Sequence, residues 1–66
     1  MNVALLKKKI DENGFNVETI ADKIGIDRST LYRKLNGEVR MTIGEAKKIK
    51  QLLNITNEEA QSIFFD

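Results

Sequence analysis

The segment from Asn16 to Gly37, NVETIADKIGIDRSTLYRKLNG, constrains the fold of this chain more than any other stretch of it. It reads as two short helices joined by a tight turn, the second ending at Asn36-Gly37. Ala21 stands four residues before Gly25, and a small side chain there lets a second helix cross close to the first. Gly25 has no Cβ, so it tolerates the positive φ that ends a helix. Ile26 then turns into the core, and Asp27 is placed to cap the next helix. Two short helices joined across a glycine-containing turn at a steep angle make a helix-turn-helix.

The rest of the chain divides by its caps. Thr42-x-x-Glu45 and Thr56-x-x-Glu59 are capping boxes, in which hydroxyl and carboxylate satisfy free amides reciprocally. Asn16 and Asp27 are cap residues of the kind that accept from a first turn. An apolar residue precedes each of these four caps, and another stands at the fourth helical position. The pairs are Phe15 with Ile20, Ile26 with Leu31, Met41 with Ala46, and Ile55 with Ala60. That is the spacing of a hydrophobic staple, and its recurrence marks four helix starts. A first helix, with Val3, Leu6 and Ile10 on one face, precedes Gly14 as its terminator. The expected helices are 2–13, 17–24, 28–36, 43–53 and 57–65: an all-α domain with no strand. Leu5, Leu6, Ile10, Ile20, Ala21, Ile24, Ile26, Leu31, Leu35, Ile43, Ala46, Ile49, Leu52 and Ile55 are the expected core.

Sixty-six residues suit a single small domain, which buries only about 60% of its unfolded surface. There is no Cys, so neither disulfides nor thiolate metal sites add stability. Without Cys or His the common nucleophile–base pairs cannot be assembled, and no carboxylate pair stands in an evident cleft, so no enzyme, metal or cofactor is expected. No apolar run approaches the roughly 20 residues of a membrane span, and the N-terminus does not read as a signal peptide, which points to the cytoplasm.

A net charge of +1 hides an asymmetry. Residues 1–25 are balanced. Residues 26–50 hold Arg28, Arg33, Lys34, Arg40, Lys47, Lys48 and Lys50 against only Asp27, Glu38 and Glu45, whereas the tail holds Glu58, Glu59 and Asp66 and no basic residue. Positive charge gathers on the second helix of the pair and on the segment after it, giving the directional field that a polyanion would meet. Helical spacing of about 100° per residue turns Leu31 and Leu35 inward and sets Arg33 opposite them. Ser29 and Asn36 lie toward that outer side, Arg28 is at the N-terminal tip, and Tyr32 flanks the core stripe.

Ala21, Gly25, Ile26, Asp27-Arg28-Ser29-Thr30-Leu31 and Asn36-Gly37 together resemble the lambda-repressor/Cro (XRE) family of phage and bacterial regulators. The resemblance implies four or five short helices, with the helix-turn-helix as the second and third, and helix 28–36 lying in the major groove of an operator. It assigns base contacts to Arg28, Ser29 and Arg33, with Tyr32 beside them. Arginine can fork onto O6 and N7 of guanine, while Ser and Tyr bond to several base edges or to phosphate. Arg28 and Arg33 are alternatively phosphate contacts, or these are ordinary solvated residues.

For the phosphate backbone, many members of the family carry Gln at the first position of the earlier helix; here Val17 stands there, and only its amide can serve. Asn36, Arg40 and Thr42 surround the loop where the family also grips the backbone, with Lys47 in reach. Lys7, Lys8 and Lys9 read as a solvated face. Ile63, Phe64 and Phe65 suggest a homodimer, at least on DNA, since two-fold operators are read by two-fold proteins; alternatively both rings complete the monomer core. The expected function is a sequence-specific DNA-binding regulator, a phage-type repressor or Cro-like switch protein, with double-stranded DNA as partner and no small-molecule ligand. The alternative is a protein-interaction module on the same fold, antitoxin-like or an anti-repressor partner, with weak or no DNA binding.

Overall fold

The computed structural model describes residues 1–65. Asp66, a member of the acidic tail, lies outside them. The chain is all-α: α1 (Val3–Glu12), α2 (Val17–Ile24), α3 (Arg28–Leu35), α4 (Ile43–Leu53) and α5 (Asn57–Phe64), with no strand among the described residues. No helix of the described residues is long and apolar enough to cross a membrane.

Local chemistry explains the helix starts. The Asn16 side chain accepts the Thr19 amide at 2.8 Å, and Asn2, unanticipated as a cap, accepts that of Leu5 at 3.1 Å. Both capping boxes form, with the Thr42 and Thr56 hydroxyls each accepting the amide three residues on at 3.1 Å. Glu45 and Glu59 return the bond to the cap amides at 2.9 Å. Asp27 departs from expectation. Its backbone takes the cap position, but its carboxylate makes no cap bond and instead accepts the Ser29 hydroxyl at 3.1 Å. A hydroxyl two residues away competes for the oxygen that would otherwise reach the first turn.

The ends of α1 to α4 share one closure. The amides of Phe15, Ile26, Glu38 and Ile55 reach back five residues to the carbonyls of Ile10, Ala21, Arg33 and Lys50, at 2.9–3.3 Å. This closure puts the preceding residue in the left-handed region. At α2 that residue is Gly25, with φ 83°; at α4 it is Asn54, with φ 51°. Asn tolerates that region better than most residues with a side chain, which is why α4 stops there without a glycine.

Ile20, Ala21, Ile49 and Ile63 are wholly shielded from solvent, and Leu6 and Leu31 nearly so. The core differs from expectation along α4. Its inward line is Ala46, Ile49 and Leu53. Ile43 is 66% exposed and Leu52 only packs against the core's edge. At about 100° per residue, Ile43 and Leu52 each fall roughly a quarter turn from that line. Steps of three residues drift around a helix, so the spacing 43, 46, 49 loses its first member. Leu5 and Ile26 are half-buried against the core, Ala60 of α5 joins it unforeseen, and Ile63, which also stood among the dimer candidates, lies within it. The Asn2 amide donates to the Ile63 carbonyl at 2.7 Å, which seals α1 against α5.

Candidate nucleic-acid interface

α2 packs against α3 more extensively than any other two helices meet. The buried Ala21 turns its carbonyl to both turn amides, those of Gly25 and Ile26, each at 3.0 Å. With Leu31 and Leu35 buried below, Arg28, Ser29, Tyr32, Arg33 and Asn36 are all exposed on α3 and its end.

They are not equally free. Glu18 and Asp22 stand four apart on α2, and Arg28 and Tyr32 four apart on α3, so each pair shares a helix face. The two rows meet across the turn. Arg28 donates from Nε to Asp22 Oδ1 at 3.2 Å and from Nη2 to Oδ2 at 2.7 Å, and the Tyr32 hydroxyl donates to Glu18 Oε2. The guanidinium holds the Asp22 carboxyl below its ordinary range. The Tyr32 hydroxyl does the same for Glu18, and that hydrogen bond in turn pushes the Tyr32 phenol up. With their protons directed inward, Tyr32 and Ser29 offer lone pairs outward, suited to a donor such as cytosine N4 or adenine N6. The Arg33 guanidinium makes no hydrogen bond or ion pair among the described residues and keeps all its donors for a partner.

On one flank, Val17 packs its side chain against the core, leaving its amide as the group an anion could use. The Glu18 carboxylate, in the same first turn, competes for that positive helix end. On the other flank is the loop 36–42. Arg40 is exposed, its guanidinium unpaired among the described residues, while its carbonyl accepts Lys34 Nζ at 3.0 Å. Thr42 has committed its amide and its lone pair to the capping box, so only its hydroxyl proton remains for a phosphate. The Asn36 side chain and Lys47 are exposed. Lys48 instead reaches the Ile24 carbonyl at the end of α2, at 3.5 Å.

Lys34 was not singled out from the sequence, yet it is the one buried charged residue among those described, 6% exposed. Its ammonium lies 2.9 Å from Glu45 Oε1. Burial pushes the Glu45 carboxyl up, but the Thr42 amide and the Lys34 ammonium outweigh it and hold it below the ordinary range. Lys34 therefore ties α3, the loop at Arg40 and α4 together. Its position about 60° from Leu31 on the wheel, beside the core stripe, was the available signal; Glu18 and Asp22 were readable as an i, i+4 row. Lys9 departs from the solvated face read for Lys7 and Lys8: it pairs with Glu59 of α5 and, at 3.6 Å, with Glu12.

The terminal cluster splits. Ile63 is wholly buried in this chain's own core, so it has no surface to give a second copy, and Phe64 packs against that core. Phe65 is 62% exposed. It lines a groove with Met1, Val39, Ile43 and Phe64, and this groove collects every exposed large apolar side chain among the described residues except Tyr32.

The model of the Cro/C1-type HTH DNA-binding domain matches residues 5–64, the span that holds all five helices except the first two residues of α1. Neither a curated protein nor a solved structure matches the chain.

Proposed function

Because this chain belongs to the Cro/C1-type helix-turn-helix DNA-binding domains, we propose that it is a sequence-specific transcriptional regulator, a phage-type repressor or Cro-like switch protein, acting in the cytoplasm of a bacterial cell. α3 enters the major groove and reads base edges with Arg28, Ser29, Tyr32 and Arg33. The Val17 amide, Asn36, Arg40 and the Thr42 hydroxyl hold the flanking phosphates and set the register. The observation that carries this reading is the exposed outer row of α3, with Arg33 free, on the second helix of a helix-turn-helix.

The regulator reads DNA as a homodimer. Two-fold symmetry would place two copies of α3 about 34 Å apart on one side of the duplex. The partner surface is the apolar part of the groove, Met1, Val39, Ile43 and Phe65, bordered by Arg40 and Thr42, a gathering of exposed apolar side chains of the kind that marks association. Sedimentation of the free protein and of its DNA complex tests this, with Phe65→Ser expected to weaken dimer and complex alike while leaving the helices intact. One chain per operator, unchanged by Phe65→Ser, would exclude the dimer.

The DNA reading is tested by selecting ligands from a randomised duplex library and measuring mobility shifts at two salt concentrations. Enrichment of a defined site with steep salt dependence supports it. The carboxylates of Glu18 and Asp22 on the reading face favour the second reading, a protein-interaction module. Failure to enrich any sequence would decide for that module.

A further inference from the structure

Across the turn between α2 and α3, the Asp22 carboxylate takes the Nε–Nη2 edge of Arg28 in a two-bonded fork, at 3.2 and 2.7 Å. A guanidinium held this way still has a second edge, made of Nη1 and the outer hydrogen of Nη2. Those are two parallel donors, matching O6 and N7 of a guanine met end-on. We propose that Asp22 is a positioning residue that presets Arg28 for end-on recognition of guanine, an inference that rests on α3 reading bases.

The placement of the pair argues against a role in stability. Asp22 lies in the last turn of α2, where the helix dipole disfavours a carboxylate, and Arg28 is the first residue of α3, where it disfavours a cation. Both side chains are more than half exposed, and ion pairs so exposed add little to stability. Fixing Arg28 before DNA arrives removes rotamer freedom that would otherwise be lost on binding. The same carboxylate repels phosphates of any sequence, so it weakens random binding while sharpening the specific contact. Removing Asp22 should therefore move two quantities in opposite directions. A carboxylate that merely masked Arg28 would, when removed, raise affinity and leave base preference intact or stronger.

The experiment is selection of the full chain on a randomised duplex library, followed by anisotropy titrations of the selected duplex, of single-base variants of it and of an unrelated duplex. The proteins are wild type, Arg28→Ala, Asp22→Ala, Asp22→Asn and the double variant Asp22→Ala/Arg28→Ala, with helical circular dichroism checked for each. Arg28→Ala identifies the guanine it reads. Asp22→Ala is expected to lower the preference for that guanine by roughly tenfold, of the order one bidentate contact supplies, and to tighten binding to the unrelated duplex. Asp22→Asn, which keeps one acceptor and folds with less disturbance, should fall between. In the Arg28→Ala background, removing Asp22 should leave base preference unchanged. A guanine preference that depends on Arg28 but is unchanged or sharper without Asp22 overturns the inference alone. If Arg28→Ala alters preference at no position, the reading by Arg28 fails and the inference with it.

Discussion

Replacing Lys34 by Met keeps a buried apolar stem of similar length but removes the ammonium. The loss can be worked from its partners. Nζ donates to the Arg40 carbonyl at 3.0 Å and meets Glu45 Oε1 at 2.9 Å. Hydrogen bonds to charged groups contribute about 1.5–3 kcal/mol each, and breaking a fully buried ion pair costs about 3–5 kcal/mol. Here the lower end applies, because Glu45 keeps the Thr42 amide and its side chain is 17% exposed, while Met gains from burial. Lys34→Met should therefore cost about 2 kcal/mol, or a fall of roughly 10 °C in Tm for a domain this small. Urea denaturation of Lys34→Met, Glu45→Gln and the double variant forms a cycle, and Gln at position 45 preserves the capping box. A coupling of at least about 1 kcal/mol is expected between the two sites. Because Lys34 also fixes the loop at Arg40, the single variant should weaken DNA binding without changing base preference. A loss below about 0.5 kcal/mol, the usual size for a surface substitution, or additivity of the two single variants, would refute the argument that this pair fastens α3 to α4.

Ala21→Leu should overpack the contact between α2 and α3 and cost roughly 1–3 kcal/mol in the same urea experiment; a loss of only a few tenths would mean that the helices do not meet there. Arg33→Ala should relax base preference at one position of each half-site by about 1–3 kcal/mol, whereas Arg40→Ala should weaken all sequences alike and reduce the salt slope by about one unit; equal weakening of specific and random DNA by Arg33→Ala would reverse that assignment. The Glu59 carboxyl, bonded to Lys9 and to the Thr56 amide, is held down to about 2 from an ordinary 4.5. A carboxyl depressed on folding stabilises above its unfolded value and loses that contribution as pH falls. Thermal melts should therefore drop between about pH 4.5 and 2, and Lys9→Met should flatten that drop; an unchanged acid limb would dissociate the pair from the loss.

Helix starts could be read from the sequence because a cap is a conversation among four neighbouring residues, as at Thr42 with Glu45 and Thr56 with Glu59. The helix-turn-helix could be read for the same reason, since Ala21, Gly25 and Ile26 lie within six consecutive residues. What escaped depends on neighbours distant in sequence. Lys34 is buried only because Glu45 and the Arg40 carbonyl come to meet it. The helical wheel identified Arg28 and Tyr32 as outward, but outward is not unpartnered, and the crossing of α2 with α3 brings two carboxylates to them. Phe64 and Phe65, adjacent and identical, separate because Phe64 ends α5 packed against the core while Phe65, at the cap beyond it, is exposed.

The seal between Asn2 and Ile63 bears on how the chain folds. It joins residues sixty-one apart, whereas the Asp22–Arg28 fork joins residues six apart. Loop-closure entropy grows as three-halves RT times the logarithm of length, so the terminal seal costs about 2 kcal/mol more to close. That difference predicts an order of assembly in which the hairpin of α2 and α3 condenses first and α1 and α5 dock on it last. Amide exchange in the native protein should show the reverse, with the Asn2 amide released in an opening that leaves the Gly25 and Ile26 amides protected. The helix-turn-helix would then be the most persistent part of the molecule, and the seam between α1 and α5 the place where unfolding begins.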